Sequence, residues 1–332
     1  MYTITLIPGD GIGPEVVMTT QKIIEAAGIP IQWDVQEAGF EVYRKEGTPL
    51  PTRVLDSIRK NKVALKGPTT TPIAEGFRSI NVTIRQELDL FANVRQIKNY
   101  PNIPSKYQDI DMVIIRENTE DLYAGIEHMV GEDAAESIKI FTRRGCQRII
   151  RYAFEFARKA NRKKVTCVHK ANIMKCTDGM FLRIARDISK EYNEIDFEDI
   201  IVDAMCMKLV QHPENYDVLV LPNLYGDIIS DLAAGLIGGL GVAPGANLGN
   251  ELAVFEAVHG SAPDIAGLNI ANPTAIILST VHMLKHIGEV NSASSIEKAL
   301  SRVLKEGKFL TRDIGGKAST TEFMHRIISM LG

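Results

Sequence analysis

The alternation of short apolar runs with longer helical patterns constrains the fold of this chain more than any other feature of its sequence. Runs typical of buried strands occur at residues 3–7, 31–35, 63–65, 112–115, 164–168, 197–202 and 218–221. Helical patterns occur at 14–27, 147–159 and 232–240. Strands that alternate with helices in this way predict an α/β fold with a largely parallel sheet. A further short strand is predicted at 140–142, outside this scheme.

Length and composition limit the classes of protein to which the chain can belong. Its 332 residues exceed what one hydrophobic core usually contains, so we expect two lobes. The formal net charge of −3 gives no general attraction to nucleic acid or to an anionic membrane. The cysteines lack metal-ligand spacing, no apolar stretch is long enough to span a bilayer, and the N-terminus lacks signal-peptide features. We therefore expect a cytoplasmic protein whose partner is a small molecule.

Two aspartates four residues apart, Asp227 and Asp231, follow the predicted strand at 218–221. If a helix begins at Asp227, both carboxylates lie on one face, where like charges cost roughly 0.2–0.5 kcal/mol. Paired carboxylate oxygens are the ligands that Mg²⁺ or Mn²⁺ requires. The alternative is that Asp227 caps the helix and Asp231 is a solvated acid of its first turn. Asp203, which follows the predicted strand at 197–202, is a third candidate ligand.

Three arginines and one helix start form a candidate anion-binding site. Ser79 precedes a helical pattern that contains Arg85, and Arg95 and Arg116 lie near strand ends. Helix N-termini bind anions through their N–H groups, and guanidinium groups bind carboxylates bidentately. Alternatively, Ser79 serves only as an N-cap and Arg85 is an ordinary surface residue. The three arginines together favour a carboxylate-binding site.

Three further residues are candidates for chemistry or binding. Tyr123 lies in a polar loop, where the alternative is an ordinary half-buried aromatic residue. Lys170 follows the predicted strand at 164–168, a position that suits a general base. His259 lies among small residues that allow close approach of a flat ligand, although a lone histidine is more often structural. The glycine-rich segment 9–15 favours a tight turn over a dinucleotide loop, because its glycine spacing is GxGxG followed by proline.

Three segments together carry a resemblance to a known enzyme family. They are residues 7–15 (IPGDGIGPE), 223–241 (NLYGDIISDLAAGLIGGLG) and 256–267 (EAVHGSAPDIAG), with Asn-Pro at 272–273. Over nearly its whole length the chain resembles the β-decarboxylating dehydrogenases, which comprise the isocitrate, isopropylmalate and homoisocitrate dehydrogenases. The resemblance implies that family's own two-domain α/β fold, which is distinct from the Rossmann fold.

The resemblance also implies a domain division and a dimer. Residues 1–90 and 239–332 would form the large, cofactor-binding domain, which contains both termini. Residues 91–238 would form the small domain, which carries the dimer contacts and the metal and substrate ligands. A segment at about 121–145 would be the clasp that interlocks two subunits. The expected assembly is a homodimer whose active sites are shared between subunits.

By the same resemblance, individual residues acquire chemical roles. Asp227 and Asp231, with Asp203 from the neighbouring subunit, would hold Mg²⁺ or Mn²⁺. Lys170, also from the neighbouring subunit, would accept the substrate hydroxyl proton as hydride leaves for the nicotinamide. Tyr123 would return a proton to the substrate carbon after CO₂ has departed.

The segment before Arg85 indicates the substrate. Ser79 and Asn81 match the isocitrate dehydrogenases, in which such a pair hydrogen-bonds the γ-carboxylate. Arg85, Arg95 and Arg116 would bind the other carboxylates. The resemblance therefore implies oxidation of isocitrate to 2-oxoglutarate and CO₂, with homoisocitrate dehydrogenase or a broad-range enzyme as the alternative. A non-catalytic regulatory subunit is a further alternative, disfavoured because the metal and proton-transfer residues are all present.

The expected cofactor is NAD. Asp264 would accept hydrogen bonds from the ribose hydroxyls, whereas NADP-using members commonly carry Lys-Tyr at 264–265. Gln96 departs from the family pattern, which usually has proline after this arginine. The complete set of expected cofactor contacts is Thr70, Asn172, Glu256, His259, Gly260, Ser261, Ala262, Asp264, Ile265 and Asn272.

Overall fold

The computed structural model describes residues 1–72 and 77–331 and has a mixed α/β architecture. Its strands are β1 Tyr2–Ile7, β2 Ile31–Val35, β3 Val63–Lys66, β4 Ala92–Lys98, β5 Asp111–Glu117, β6 Glu127–Val130, β7 Ala134–Ser137, β8 Lys164–His169, β9 Asp196–Ile201, β10 Val218–Leu221, β11 Pro244–Leu248 and β12 Ala253–Ala257. The main sheet has ten of these strands in the order β2-β1-β3-β12-β11-β4-β5-β10-β8-β9. Strands β6 and β7 form a separate antiparallel pair.

Helices cover both faces of the main sheet. They are α1 Gly13–Ala26, α2 Phe40–Glu46, α3 Thr52–Asn61, α4 Ile80–Glu87, α5 Arg143–Lys159, α6 Thr177–Ser189, α7 Val202–Gln211, α8 Asn223–Leu236, α9 Thr274–His286, α10 Val290–Glu306 and α11 Thr320–Ser329. Met112 and Ile114 of β5 pack into a core with α1 and α7–α11, and Val113 and Ile115 pack on the opposite face with α5 and α6. This alternation follows from the two-residue period of a strand.

The main sheet changes from parallel to antiparallel pairing at its centre. Strands β12, β11, β4 and β5 pair antiparallel, and the pairings on either side are parallel. Strands from residues 1–90 and 239–332 occupy one half, and strands from 91–238 occupy the other. The two halves meet at β11 and β4, where Asn247 lies opposite Asn93. The domain boundaries themselves stay a prediction.

The seven strands predicted in the alternating scheme are present, whereas the eighth predicted strand, the strand end at Asp203 and the alternative role of Asp227 as a helix cap are not. Residues 140–142 are not a strand: Ile140 forms only an isolated bridge, because Thr142 begins α5 as its N-cap. Asp203 does not end a strand, since α7 already begins at Val202. Asp227 does not cap a helix, because α8 begins at Asn223 and places Asp227 in its second turn.

The glycine-rich segment after β1 is a tight turn, as predicted. Gly9 and Gly11 have φ angles of +78° and +59°, which residues with a side chain rarely adopt. A Cβ at Gly9 would overlap the carbonyl oxygen of Pro68, and a Cβ at Gly11 would overlap that of Ser261. The turn therefore packs closely on two neighbouring loops. Within the described residues, no helix is both long and apolar enough to cross a membrane.

Candidate active site

Helix α8 places Asp227 and Asp231 beside two buried arginines. The antiparallel pairing of β4 with β5 brings Arg95 and Arg116 under the first turns of this helix. Arg95 donates hydrogen bonds to Asp231 at 2.8 Å and to Asp227 at 3.4 Å. Arg116 forms an ion pair with Asp227. Both carboxylates therefore lie on one face of α8, as the spacing predicted.

The arginines keep the site positively charged and Asp227 ionised. The side chains of Arg95 and Arg116 are 7% and 1% exposed. Burial and the nearby Arg85 lower the pKa of Arg116 to about 10, so it remains a cation at neutral pH. Burial alone would raise the pKa of Asp227, but Arg116 and a hydrogen bond from Tyr123 hold that pKa below its usual value.

A cavity of about 230 Å³ opens over these groups. Ser79, Asn81 and Arg85 reach it from the start and body of α4. The Ser79 hydroxyl makes no capping hydrogen bond within the described chain, so the capping alternative does not account for it. The polar side chains that line the cavity are Lys66, Thr69, Ser79, Asn81, Arg85, Asn93, Arg95, Arg116, Tyr123, Asp227, Asp231, Glu256 and His259. The three predicted arginines thus converge on one space.

Tyr123 lines this cavity, and its hydroxyl contacts Asp227. It lies in a short 3-10 turn, Leu122–Ala124, and its hydroxyl donates a 2.5 Å hydrogen bond to Asp227. The guanidinium carbon of Arg116 lies 5.0 Å from the centre of its ring. Burial and the hydrogen bond to Asp227 raise the pKa of Tyr123, so the phenol is protonated at neutral pH.

Lys170 and Asp203 lie together, but outside the cavity. Lys170 follows β8 and forms an ion pair with Asp203, which lies in the first turn of α7. Neither residue lines the space that contains Asp227. The backbone N–H of Lys170 is held by Asp178 at 2.8 Å. Asp178 in turn pairs with Lys139 at 2.9 Å, so the lysine loop is anchored to the segment that precedes α5.

The donor atoms in the cavity fit a hard divalent cation, but one chain supplies only part of a site. Asp227 and Asp231 offer carboxylate oxygens, the donor type that Mg²⁺ and Mn²⁺ prefer. Among residues 1–72 and 77–331 there is no cluster of three acidic, histidine or cysteine side chains that could hold a metal ion. Asp203, the third predicted ligand, would have to come from a second copy of the chain.

Five of the ten expected cofactor contacts line a second cavity, of about 410 Å³. His259 and Gly260 line both this space and the arginine cavity, so the two cavities are adjacent. Ala262, Ile265 and Asn272 also line the second cavity. A ligand that extends from one cavity into the other would therefore run along His259.

The other expected cofactor residues lie in varied places. The hydroxyl groups of Thr70 and Ser261 share a 2.7 Å hydrogen bond. Asp264 is exposed in the short 3-10 turn Pro263–Ile265. Asn172 lies near Lys170, away from both cavities. Glu256 is buried and its carboxylate is engaged by other side chains of the protein.

Some residues of the site were missed by sequence reasoning. Lys66, at the end of β3, is fully buried and pairs with Glu256 at 2.9 Å. The signal was available, since a lysine at a strand's carboxyl end is the feature that singled out Lys170. Arg312 and Asp313 line the second cavity, here called the cofactor cavity, and are distant in sequence from the other residues that line it. Asp313 accepts a hydrogen bond from Asn272 at 2.8 Å.

Comparison with known proteins identifies the family to which this architecture belongs. Residues 3–327 match the family described as isocitrate/isopropylmalate dehydrogenase. The mitochondrial NAD isocitrate dehydrogenase catalytic subunit 5 of Arabidopsis thaliana is 49% identical over 330 residues, 99% of this chain and 88% of the relative. The NADP isocitrate dehydrogenase of Thermus thermophilus is 49% identical over 335 residues, 99% of this chain and 68% of the relative.

A solved structure agrees with these sequence relationships. The crystal structure of isocitrate dehydrogenase from Methylococcus capsulatus superposes with a TM-score of 0.97 at 54% identity. The match covers 100% of this chain and 99% of that one. The chain belongs to the isocitrate/isopropylmalate dehydrogenase family.

Proposed function

We propose that the protein catalyses the oxidative decarboxylation of isocitrate to 2-oxoglutarate and CO₂, with NAD⁺ as the hydride acceptor and Mg²⁺ or Mn²⁺ as the metal. The observation that carries this proposal is the convergence of three arginines, two aspartates and one tyrosine on a single cavity. Few small substrates need three guanidinium groups and two metal-ligating carboxylates together. A tricarboxylate with a hydroxyl group beside one carboxylate meets both requirements.

The charges of the cavity match those of isocitrate. Arg85, Arg95 and Arg116 supply donors for its carboxylates. Ser79 and Asn81, on the α4 side, offer polar groups for the γ-carboxylate. Isopropylmalate carries an isopropyl group there instead, which would desolvate these polar side chains without a partner. Homoisocitrate, one methylene longer, remains the nearest alternative substrate.

The proposed proton transfers are divided between two residues, Lys170 and Tyr123. Lys170 of a second subunit would accept the hydroxyl proton as the same substrate carbon gives up its hydride, and NAD⁺, when bound, would supply the hydride acceptor, so that the substrate becomes a keto acid. The β-carboxylate then leaves as CO₂, and its bonding electrons remain on the adjacent carbon. Tyr123 donates a proton to that carbon to give 2-oxoglutarate. The metal, when bound, withdraws electron density from the substrate hydroxyl and carbonyl oxygen.

A homodimer with shared sites accounts for the separation of Lys170 from Asp227. Exposed apolar side chains, which are costly for a monomer to leave in water, follow Lys170 and Asp203 along the chain, and another adjoins Asp227 on α8: Ile173, Met207, Val210 and Ile228. The β6–β7 hairpin projects with exposed Met129 and Val130, as expected of a clasp that covers a partner.

NAD is the proposed cofactor because Asp264 presents a carboxylate beside the cofactor cavity. A carboxylate accepts hydrogen bonds from ribose hydroxyls and repels the 2′-phosphate of NADP. One relative carries NADP in its name, so the discrimination has to be measured on this protein. A regulatory role without turnover is disfavoured, since Tyr123, Lys170 and the three aspartates are all present. The cysteines form no disulfide in the described chain, which suits the reducing cytoplasm that we propose as its location.

Product analysis tests the proposed function. The purified protein is incubated with isocitrate, NAD⁺ and Mg²⁺ or Mn²⁺, and 2-oxoglutarate, CO₂ and NADH are quantified. We expect the three products in equal amounts, and no product after the metal is removed with EDTA. NADH without CO₂, or no turnover of isocitrate with either metal, would contradict the proposal.

A further inference from the structure

A row of hydrogen-bonded side chains crosses the centre of the main sheet beneath the substrate cavity. Lys66 of β3 lies opposite Glu256 of β12, and their charged groups are 2.9 Å apart. Asn93 of β4 lies opposite Asn247 of β11 and donates to its side-chain oxygen at 2.8 Å. The Nδ2 of Asn247 donates to Glu256 at 2.7 Å and so joins the two pairs. The row is continuous from β3 to β4.

The row ends on a substrate-binding arginine. Arg95 donates from Nε to the side-chain oxygen of Asn93 at 3.0 Å, and its Nη1 holds Ser230 and Asp231. Asn93 thus uses its oxygen for Arg95 and its amide for Asn247. A carboxylate only accepts hydrogen bonds, so the amide of Asn247 must face Glu256. Arg95 and Asn247 thus fix the side-chain orientation of Asn93, and Asn93 and Glu256 fix that of Asn247.

Burial makes these contacts hard to replace. Asn93 is 1% exposed and Asn247 is 2% exposed, so water has little access to either amide. Asn93 lines the cavity, whereas Asn247 does not and cannot contact a ligand there. Loss of the Asn247 side chain would leave Asn93 with a buried donor that lacks its partner. Asn93 could then turn toward another acceptor and withdraw its oxygen from Arg95.

We propose that Asn247 is a positioning residue for substrate binding, which acts through Asn93 to fix the guanidinium plane of Arg95. A second contact has the same effect on Arg85, whose Nη2 donates at 3.1 Å to the Glu256 oxygen that Asn247 also holds. Asn247 belongs to the half of the sheet that borders the cofactor cavity, and Arg95 to the other half. The residue therefore couples the alignment of the two halves to the grip on substrate carboxylates. This role rests on the proposed function.

Kinetics of Asn247→Ala, with Asn118→Ala as the matched control, test the proposal. Asn118 is also a buried asparagine and donates to the same oxygen of Asn247 at 3.1 Å, but its other bond goes to the Leu90 carbonyl rather than to an arginine. We expect Asn247→Ala to raise KM for isocitrate by about tenfold or more, since misplacement of a positioning group by ~1 Å has effects of that size. Asn118→Ala should lower Tm and leave KM nearly unchanged. Equal changes of KM in both variants, or none in Asn247→Ala, would overturn the proposal.

A double variant separates positioning from a general loss of stability. Asn93→Ala removes the contact to Arg95 directly. The rise in KM of the double variant should therefore be much smaller than the product of the two single fold-changes. A rise equal to that product would show that Asn247 does not act through Asn93. If Asn247→Ala does not accumulate as folded protein, Asn247→Ser is measured in its place and decides in the same way.

A measurement without turnover distinguishes failure of this inference from failure of the proposed function. In protein labelled with ¹⁵N-arginine, the Nε–H signal of Arg95 is assigned by its loss in Arg95→Lys. Its exchange with solvent should accelerate in Asn247→Ala and not in Asn118→Ala, whether or not isocitrate is a substrate. Unchanged exchange in Asn247→Ala would overturn the positioning role even in an active enzyme.

Discussion

Lys170 forms an ion pair with Asp203, and both lie outside the cavity that contains Asp227. The proposed chemistry needs all three residues at one substrate. A second copy of the chain that presents the Lys170 surface to the cavity would bring them together. The chain would then contribute Tyr123 to one active site and Lys170 to the other.

Shared sites predict complementation between inactive variants. In a heterodimer of Lys170→Met and Tyr123→Phe subunits, one site carries both defects and the other carries neither. We therefore expect differently tagged, purified heterodimers to regain activity that neither homodimer shows. The matched control pairs Lys170→Met with Asp203→Asn, because both residues serve the partner's site and each site keeps one defect. Recovery in the control, or none in the first mixture, would exclude shared sites.

Asp231→Asn should weaken metal binding without loss of the fold. The Asp231 side chain is 54% exposed, and its buried partner Arg95 keeps a second carboxylate, Asp227 at 3.4 Å, so we expect the fold to survive the substitution. We expect turnover to fall by more than roughly a hundredfold at low Mg²⁺. Even the loss of a group that only hydrogen-bonds to a metal ligand lowers metal affinity or activity by ~10–100-fold. Mn²⁺ affinity, followed by electron paramagnetic resonance, should fall in parallel. The control Asp187→Asn removes an exposed carboxylate of α6 and should change neither quantity. Wild-type Mn²⁺ affinity in Asp231→Asn would contradict the ligand assignment.

Replacing Asp264 with Lys and Ile265 with Tyr should narrow or invert the cofactor preference. Asp264 would give NAD⁺ charge-assisted hydrogen bonds of ~1.5–3 kcal/mol each and would repel a 2′-phosphate. The wild-type preference should therefore exceed about 3 kcal/mol, or over a hundredfold in kcat/KM. In the double variant, kcat/KM should fall mostly for NAD⁺. Asp264→Asn, which removes charge alone, should give an intermediate ratio, and an unchanged ratio in all variants would refute this role.

Glu256 should contribute to the acid sensitivity of the fold. Burial alone would raise its pKa, but Lys66 and Arg85 hold the pKa of Glu256 well below its usual value. Because the folded-state pKa is depressed, this stabilisation is complete above the unfolded-state pKa and is lost as the pH falls below it. In Glu256→Gln, the free energy of unfolding should be lower at neutral pH because Lys66 loses its partner.

The pH profile of that variant supplies the check. The free energy of unfolding is measured with urea between about pH 5 and pH 3. As the pH falls, it should decrease more for the wild type than for Glu256→Gln, by up to about 1.4 kcal/mol per pH unit for one proton. Parallel profiles would show that Glu256 is not ionised against Lys66 and Arg85 in the folded protein.

Local rules explain which parts of the site the sequence could predict. The four-residue spacing of Asp227 and Asp231 was enough to place both on one helix face. The start of α8 was misplaced, because Pro222 and Asn223 begin the helix without a side-chain cap in the described structure. The apolar run through Val202 predicts that Asp203 follows a strand, yet α7 already begins at Val202.

Contacts between distant segments lay beyond sequence reasoning. Asn93 and Asn247 are 154 residues apart and meet only because β4 and β11 are neighbours in the sheet. The sequence predicts neither strand, because the polar Asn93 and Arg95 interrupt the apolar pattern of β4 to face the cavity, and Pro244 and Gly245 of β11 are residue types that strands disfavour. The pairing of Lys66 with Glu256 depends in the same way on the neighbouring positions of β3 and β12.

The most direct test of the proposed function is a comparison of kcat/KM for isocitrate, homoisocitrate and isopropylmalate, each with NAD⁺ and with NADP⁺, at saturating Mg²⁺. We expect the highest value for isocitrate with NAD⁺, a value over a hundredfold lower with NADP⁺, and the poorest turnover with isopropylmalate, whose apolar group would meet Ser79 and Asn81. A highest value for either other acid would contradict the assigned substrate, and comparable values for NAD⁺ and NADP⁺ would contradict the role of Asp264.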